Sequence, residues 1–186
     1  MSVKKILTEI NKIQLQNYCS ANEFRTNSKI GKGRGMYWIW TNLMFDELKK
    51  IESTHNAEIP ISQLVENRED LKNICEIKNN SFRIVYNGIG GYKGLELKKG
   101  QTYNLRSRIN QEFFSNDFRT GTLNIENRKN FNISNWGVSF FNFDENEKLF
   151  SEFLKLTEIE NYYEKYANML EMNWRIEFGH PILNRF

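Results

Sequence analysis

Long apolar runs are missing from this chain of 186 residues. None approaches the about eighteen consecutive apolar residues that a membrane-crossing helix needs. The opening segment, MSVKKILTEINKIQLQN, is broken by charged and polar residues too often to form a secretory hydrophobic stretch, so a cytoplasmic setting is expected. Cysteine is scarce. Cys19 and Cys75 have no CxxC spacing and no cluster with His55 or His180, so neither a zinc site nor a structural disulfide is expected. Proline is scarcer in effect, with Pro60 and Pro181 as the only interruptions, and no Pro/Gly/Ser-rich linker divides the chain. Nor does one sign of charge dominate: 26 basic against 23 acidic residues leave a net +3. That balance permits a nucleic-acid partner without requiring one, because clustering matters more than the total.

What is present is a set of well-marked elements, enough for one buried core and too few for two domains. Ile6, Ile10 and Ile13 stand at helical spacing in residues 1–28, read as an N-terminal helical arm. KIGKGRGMYWIWT, residues 29–41, alternates glycine with basic residues and then runs into aromatic strand formers. Residues 43–80 read as a helical, surface-like insert carrying Leu43, Leu48, Ile51, Leu64, Leu71, Ile74 and Cys75. FRIVYNGI, residues 82–89, is a second strand, with Gly88, Gly90 and Gly91 read as a glycine-rich turn at its end. NLRSRINQEFF predicts a helix with Leu105, Ile109 and Phe113 on one face, and Arg108 and Glu112 one turn apart on another. WGVSFFNF, residues 136–143, is a third strand. A long helix follows from Glu145, with Phe153, Ile159, Tyr163, Tyr166, Leu170 and Trp174 near one stripe, ended by Gly179 and Pro181. The order describes an α+β protein, a small sheet flanked by helices, and not a doubly wound nucleotide-binding fold.

Phosphodiester hydrolysis needs a positioned water, positive charge on the non-bridging oxygens and stabilisation of the leaving oxygen. Residue types for each role stand at strand and helix ends: tyrosines, arginines and a carboxylate able to carry Mg²⁺. Gly35-Met36-Tyr37 on the first strand and Tyr86-Asn87-Gly88 on the second resemble the two halves of the signature that names the GIY-YIG nucleases. Leu105-Arg106-Ser107-Arg108 is similar to the family's helix, where a leucine precedes the catalytic arginine by three places. Glu171 with Trp174 and Arg175, then Gly179 to Asn184, look like the metal-binding glutamate helix and its trailing asparagine. The resemblance covers about residues 30–42 and 82–186.

It implies a single domain built on a three-stranded antiparallel sheet flanked by helices, with residues 43–80 inserted between the first two strands. Tyr37 and Tyr86 would flank the attacking water, Arg108 would bind the scissile phosphate, and Glu171 would coordinate one Mg²⁺ or Mn²⁺ ion. Products with 5′-phosphate and 3′-hydroxyl ends are implied on double-stranded DNA. Arg106 would support the phosphate, and Lys32, Arg34, Lys93 and Asn184 are further candidates for DNA contact.

Departures from the family pattern leave alternatives open. The tyrosines stand farther apart than in the usual hairpin, so the insert either reads DNA or is a solvated excursion. One turn after Arg108 the family often has His or Tyr, and here stands Glu112, either a catalytic helper or a plain salt-bridge partner. Lys93, Lys98 and Lys99 compete for one phosphate contact, and spacing does not choose among them. The basic loop with Lys29, Lys32 and Arg34 either lets backbone amides approach a phosphate or is a flexible excursion. The expectation is a metal-dependent DNA endonuclease of the restriction or phage-defence kind, a role that would favour a two-fold dimer. The alternatives are a DNA-binding module that has lost its chemistry at Glu112, and a protein-interaction domain.

Overall fold

The computed structural model describes residues 2–91, 104–115, 121–157 and 163–185. In chain order they form α1 (Val3–Gln16), β1 (Cys19–Ser20), α2 (Ala21–Thr26), β2 (Gly35–Thr41), α3 (Phe45–Leu48), α4 (Ile61–Arg68), β3 (Lys78–Asn79), β4 (Phe82–Gly90), α5 (Leu105–Phe113), β5 (Trp136–Asn142), α6 (Glu147–Thr157) and α7 (Tyr163–Phe178). The strands make one antiparallel sheet in the order β1-β5-β2-β4-β3.

The expected sheet of three strands is therefore corrected to five. The two additional strands are two residues long: Cys19 and Ser20 pair with Val138 and Gly137, while Lys78 and Asn79 pair with Arg83 and Phe82. So short a segment carries no alternation to read. These pieces exist because they occupy the two open edges of the long strands.

β2 is the central strand, and all seven of its residues are buried. Helices cover both faces, so outward positions need not be polar, and a near-continuous apolar run replaces alternation. Tyr37 and Ile39 face a cluster built with Phe24, Leu48, Ile61, Val65, Leu105 and Ile109. Met36, Trp38 and Trp40 face the opposite cluster, with Ile6, Ile10, Phe153, Leu170 and Trp174. The insert is accordingly not surface-like: Leu48, Ile61 and Val65 share the cluster that contains Tyr37. The N-terminal helix is likewise a packed layer, with Ile6, Leu7 and Ile10 buried. The long C-terminal helical segment is described as α6 and α7. Residues 158–162, among them Ile159, lie outside the described residues, as do the side chains of Tyr163 and Tyr166.

Two details of β4 set up the site. Ile39 lies opposite Tyr86 but Trp40 lies opposite Ile84, so Val85 is an extra residue, a β-bulge. The bulge puts Val85 and Tyr86 with the Tyr37 cluster, while Ile84 and Ile89 remain in the other. The expected glycine-rich turn is also corrected, since Gly88 and Gly90 lie inside the strand and only Gly91 takes positive φ, at 79°. A side chain on Gly88 would meet the Tyr37 ring, with Cζ at 2.6 Å, and one on Gly90 would meet the Leu105 backbone at 2.8 Å. Their lack of side chains lets Tyr37 lie across β4 and lets α5 settle on the strand. No helix among the described residues is long and apolar enough to cross a membrane.

Candidate active site

Tyr37 and Tyr86 reach the same face from neighbouring strands, with ring centroids 6.2 Å apart and planes tilted by 39°. α5 brings the next groups. Asn104 caps this helix by accepting from the Ser107 amide at 2.8 Å, and the Leu105 amide donates to the Gly33 carbonyl, also at 2.8 Å. The helix start is thereby tied to the basic loop, and its second turn directs Glu112 into the core.

Glu112 is fully buried. Its Oε1 accepts the Tyr37 hydroxyl at 2.8 Å and lies 3.0 Å from Arg108 Nη2, while Oε2 accepts the Leu123 amide at 3.0 Å. The pairing of Arg108 with Glu112 is real, but it is not the exposed bridge that spacing suggests. Burial makes this carboxylate the organiser of a phenol, a guanidinium and the strand-preceding loop. Arg108 also donates to Gln111 Oε1 at 2.9 Å and keeps 28% of its side chain exposed.

Burial first, then the charge of Glu112, raises the Tyr37 phenol well above its ordinary pKa. The same two causes, in the same order, raise Tyr86. Both phenols are therefore neutral at physiological pH and act as hydrogen-bonding groups rather than phenolates. Tyr86 also senses Arg108 and Glu171, so the sheet, α5 and α7 contribute to one electrostatic unit.

On α7, Glu171 Oε1 lies 2.8 Å from Arg175 Nη2. Burial raises the Glu171 carboxyl above the usual range, and the positive charges of Arg175 and Arg108 only partly offset it. Arg175 Nε continues to Asn87 Oδ1 at 3.0 Å. Sequence reasoning assigned no role to Arg175 or Asn87. The available signals were the i,i+4 spacing of Glu171 and Arg175 and the place of Asn87 between Tyr86 and Gly88.

The other candidates are distributed differently. Asn184 is buried, and its amide clasps the main chain of Asn87: Oδ1 accepts the Asn87 N–H at 2.9 Å, and Nδ2 donates to the Asn87 carbonyl at 2.7 Å. It clamps β4 from inside the core. Arg106 donates to the carbonyls of Asn27 and Ile30 at 2.9 and 3.0 Å and to that of Arg25 at 3.2 Å, and stacks 4.5 Å over Phe24. It fastens the α2–β2 loop. Arg34 pairs with Asp144, Nε to Oδ1 at 2.9 Å. Burial works against that carboxylate, but Arg34 holds it below its ordinary range. Lys32 is exposed in the same loop, and Lys93 lies outside the described residues. The thiols of Cys19 and Cys75 are buried, and burial pushes them up to about 12 and about 11, so neither is a nucleophile at neutral pH.

No three His, Cys, Asp or Glu side chains gather into a metal-binding group among the described residues. Glu171 fits a different kind of site. Mg²⁺ keeps several waters and takes one or two carboxylates together with substrate phosphates. A single shielded carboxylate, disfavoured as an anion by its burial, supplies that kind of ligand. A separate cavity of about 350 Å³, between the insert and the start of β5, is lined by Leu43, Ile51, Phe131 and Trp136 among others and shares no residue with this cluster. Comparison of the chain with protein-family models, with curated proteins and with solved structures finds no match.

Proposed function

We propose that the chain is a metal-dependent DNA endonuclease of the GIY-YIG kind, acting in the cytoplasm. The observation that carries this reading is the meeting of Tyr37, Tyr86 and Arg108, from two strands and a helix, at the buried Glu112, with Glu171 of α7 near enough for its charge to act on Tyr86. A guanidinium and a carboxylate beside paired phenols match what an in-line attack on a phosphodiester requires.

The roles follow from the environments. Tyr86 is the less buried phenol, and in its neutral form it orients the attacking water by hydrogen bonding. Tyr37, donating to Glu112, is fixed behind it. Arg108 retains exposed surface for a non-bridging phosphate oxygen. Glu112 is a positioning residue, because its oxygens are already taken by Tyr37, Arg108 and the Leu123 amide. Glu171 would hold the divalent cation, which when bound stabilises charge on the leaving 3′ oxygen. Cleavage would leave 5′-phosphate and 3′-hydroxyl ends, and restriction or phage defence, with a two-fold dimer on DNA, is the role we favour.

Glu112 also motivates a second reading. Its carboxylate partly neutralises the guanidinium that would grip the phosphate, which suits a scaffold that binds DNA without cutting it. Incubating supercoiled plasmid and phage DNA with the protein, Mg²⁺ or Mn²⁺, and EDTA separates the two. Under the nuclease reading, cleavage requires metal, is absent in Glu171→Ala, and leaves salt-sensitive DNA binding by that variant intact. Full activity of Glu171→Ala would sink the metal assignment. Tight binding without cleavage under either metal would establish the binding module.

A further inference from the structure

The ions of the cluster are already matched in pairs: Arg108 with Glu112 and Arg175 with Glu171. The second pair bears directly on metal binding. Arg175 is one turn beyond Glu171 on α7, and the two side chains are only 17% and 14% exposed. Its guanidinium does not hang freely from the helix. Nη2 meets Glu171 Oε1 at 2.8 Å and Nε meets Asn87 Oδ1 at 3.0 Å, so the planar fork spans from carboxylate to carboxamide. Asn87 is a fixed anchor, fully buried in β4 with its main chain clasped by Asn184. The cation is thus held against Glu171 by elements far apart in sequence.

A shielded carboxylate is costly without a cation, and two cations on one carboxylate repel strongly where water is scarce. We infer that Arg175 is the resting counter-ion of Glu171, and that a divalent cation binds at Glu171 by displacing it. This rests on the reading of Glu171 as the metal ligand. The exchange moves no proton and breaks no covalent bond. The guanidinium gives up Oε1 and keeps its bond to Asn87.

The test is Mn²⁺ binding to the intact protein, followed by the loss of the free-ion paramagnetic resonance signal. The proteins compared are wild type, Arg175→Gln, Arg175→Lys and Glu171→Gln. Removal of the competing charge should tighten Mn²⁺ binding in Arg175→Gln by about tenfold or more. Arg175→Lys, which keeps the charge, should stay near wild type, and Glu171→Gln should lose the site. Unchanged or weaker binding in Arg175→Gln, with Glu171→Gln still inactive in binding, would overturn the exchange alone. Undiminished binding in Glu171→Gln would overturn the metal assignment and the exchange with it. Wild-type protein provides a check that needs no stable variant of the site. The Arg175 Nε–H resonance, held by Asn87 before the metal arrives, should shift when Mg²⁺ is added. A resonance that stays still while the ion binds would overturn the exchange.

Discussion

Glu112 concentrates the physics of the site in one side chain. A carboxylate with no solvent exposure survives in a core only when its oxygens are fully matched, and here three donors match them. Truncation leaves the Tyr37 hydroxyl and the Leu123 amide without this acceptor and removes the Glu112 contact of Arg108. Glu112→Ala should therefore cost about 3–5 kcal/mol in urea unfolding. Glu112→Gln keeps the shape and one acceptor, and should cost less than half of that. Under the nuclease reading, both should slow plasmid cleavage, because Tyr37 and Arg108 lose their orientation even where the fold survives. Wild-type cleavage by folded Glu112→Gln would remove Glu112 from the positioning role. The presence of this residue was legible from its spacing to Arg108; its burial was not. Helical spacing places Glu112 on a face, and only the arrival of β2 and of the 121–124 segment turns that face inward.

At the scale of elements, β4 is where local and distant sequence meet. Its span could be read from the run of apolar and β-branched residues, yet the bulge at Val85 could not, since an extra residue has no signature until a partner strand is laid beside it. The same holds for what borders the strand. β3 covers β4 only at Phe82 and Arg83. Farther along, the C-terminal tail substitutes for a neighbouring strand: the Leu183 amide donates to the Val85 carbonyl at 2.8 Å, and the Asn184 side chain takes both main-chain groups of Asn87. A carboxamide, which offers an N–H to donate beside an oxygen to accept, imitates a peptide unit. Asn184→Ala should leave both buried groups of Asn87 unmatched and destabilise the protein by about 2–4 kcal/mol. Amide exchange at Asn87 should speed up beyond the global effect. Protection of Asn87 equal to wild type in that variant would show that the clamp is dispensable. A trailing asparagine near Glu171 could be recognised in the sequence, but its grip on the Asn87 main chain could not. The residue acts on β4, through which it also steadies Arg175.

The whole molecule is held at its far end by a second ionic network, built between the insert and the segment after α5. Glu58 and Arg128 are both buried, 3.5 Å apart, and Glu58 accepts hydrogen bonds from Thr54 and Asn124. Arg128 donates to the carbonyls of Leu123 at 2.8 Å, Glu52 at 3.1 Å and Ile59 at 2.8 Å, and His55 Nε2 lies 3.3 Å from Glu58. Burial opposes the ionised form of Glu58, but the hydrogen bonds from Thr54 and Asn124, together with Arg128, prevail and hold its pKa below the ordinary value. A carboxyl lowered in the folded state contributes stability that is complete above its unfolded pKa and is lost as pH falls through the folded one. Glu58→Gln should thus be less stable than wild type by about 3 kcal/mol near neutral pH. The gap should close as pH drops below the ordinary carboxylate range. A gap that stays constant down to acid denaturation would assign the effect to packing rather than charge.

Local sequence by itself marked a strand within residues 29–41, strands at 82–89 and 136–143, the helix of NLRSRINQEFF, the stop of α7 at Gly179, and the residue types available for phosphodiester chemistry. Each of these follows from interactions within a few residues: apolar and β-branched runs, helical periodicity, a glycine that ends a helix. Only the tertiary structure decided which charges meet and which are shielded from water. It buried Glu112 rather than leaving it solvated, turned Arg106 and Asn184 into internal fasteners, placed Arg175 between Glu171 and Asn87, and added the two short edge strands. These outcomes depend on partners remote in sequence. The energy of a charge or an unpaired peptide group is set by the dielectric and hydrogen-bonding surroundings that those partners create, and no local spacing encodes them.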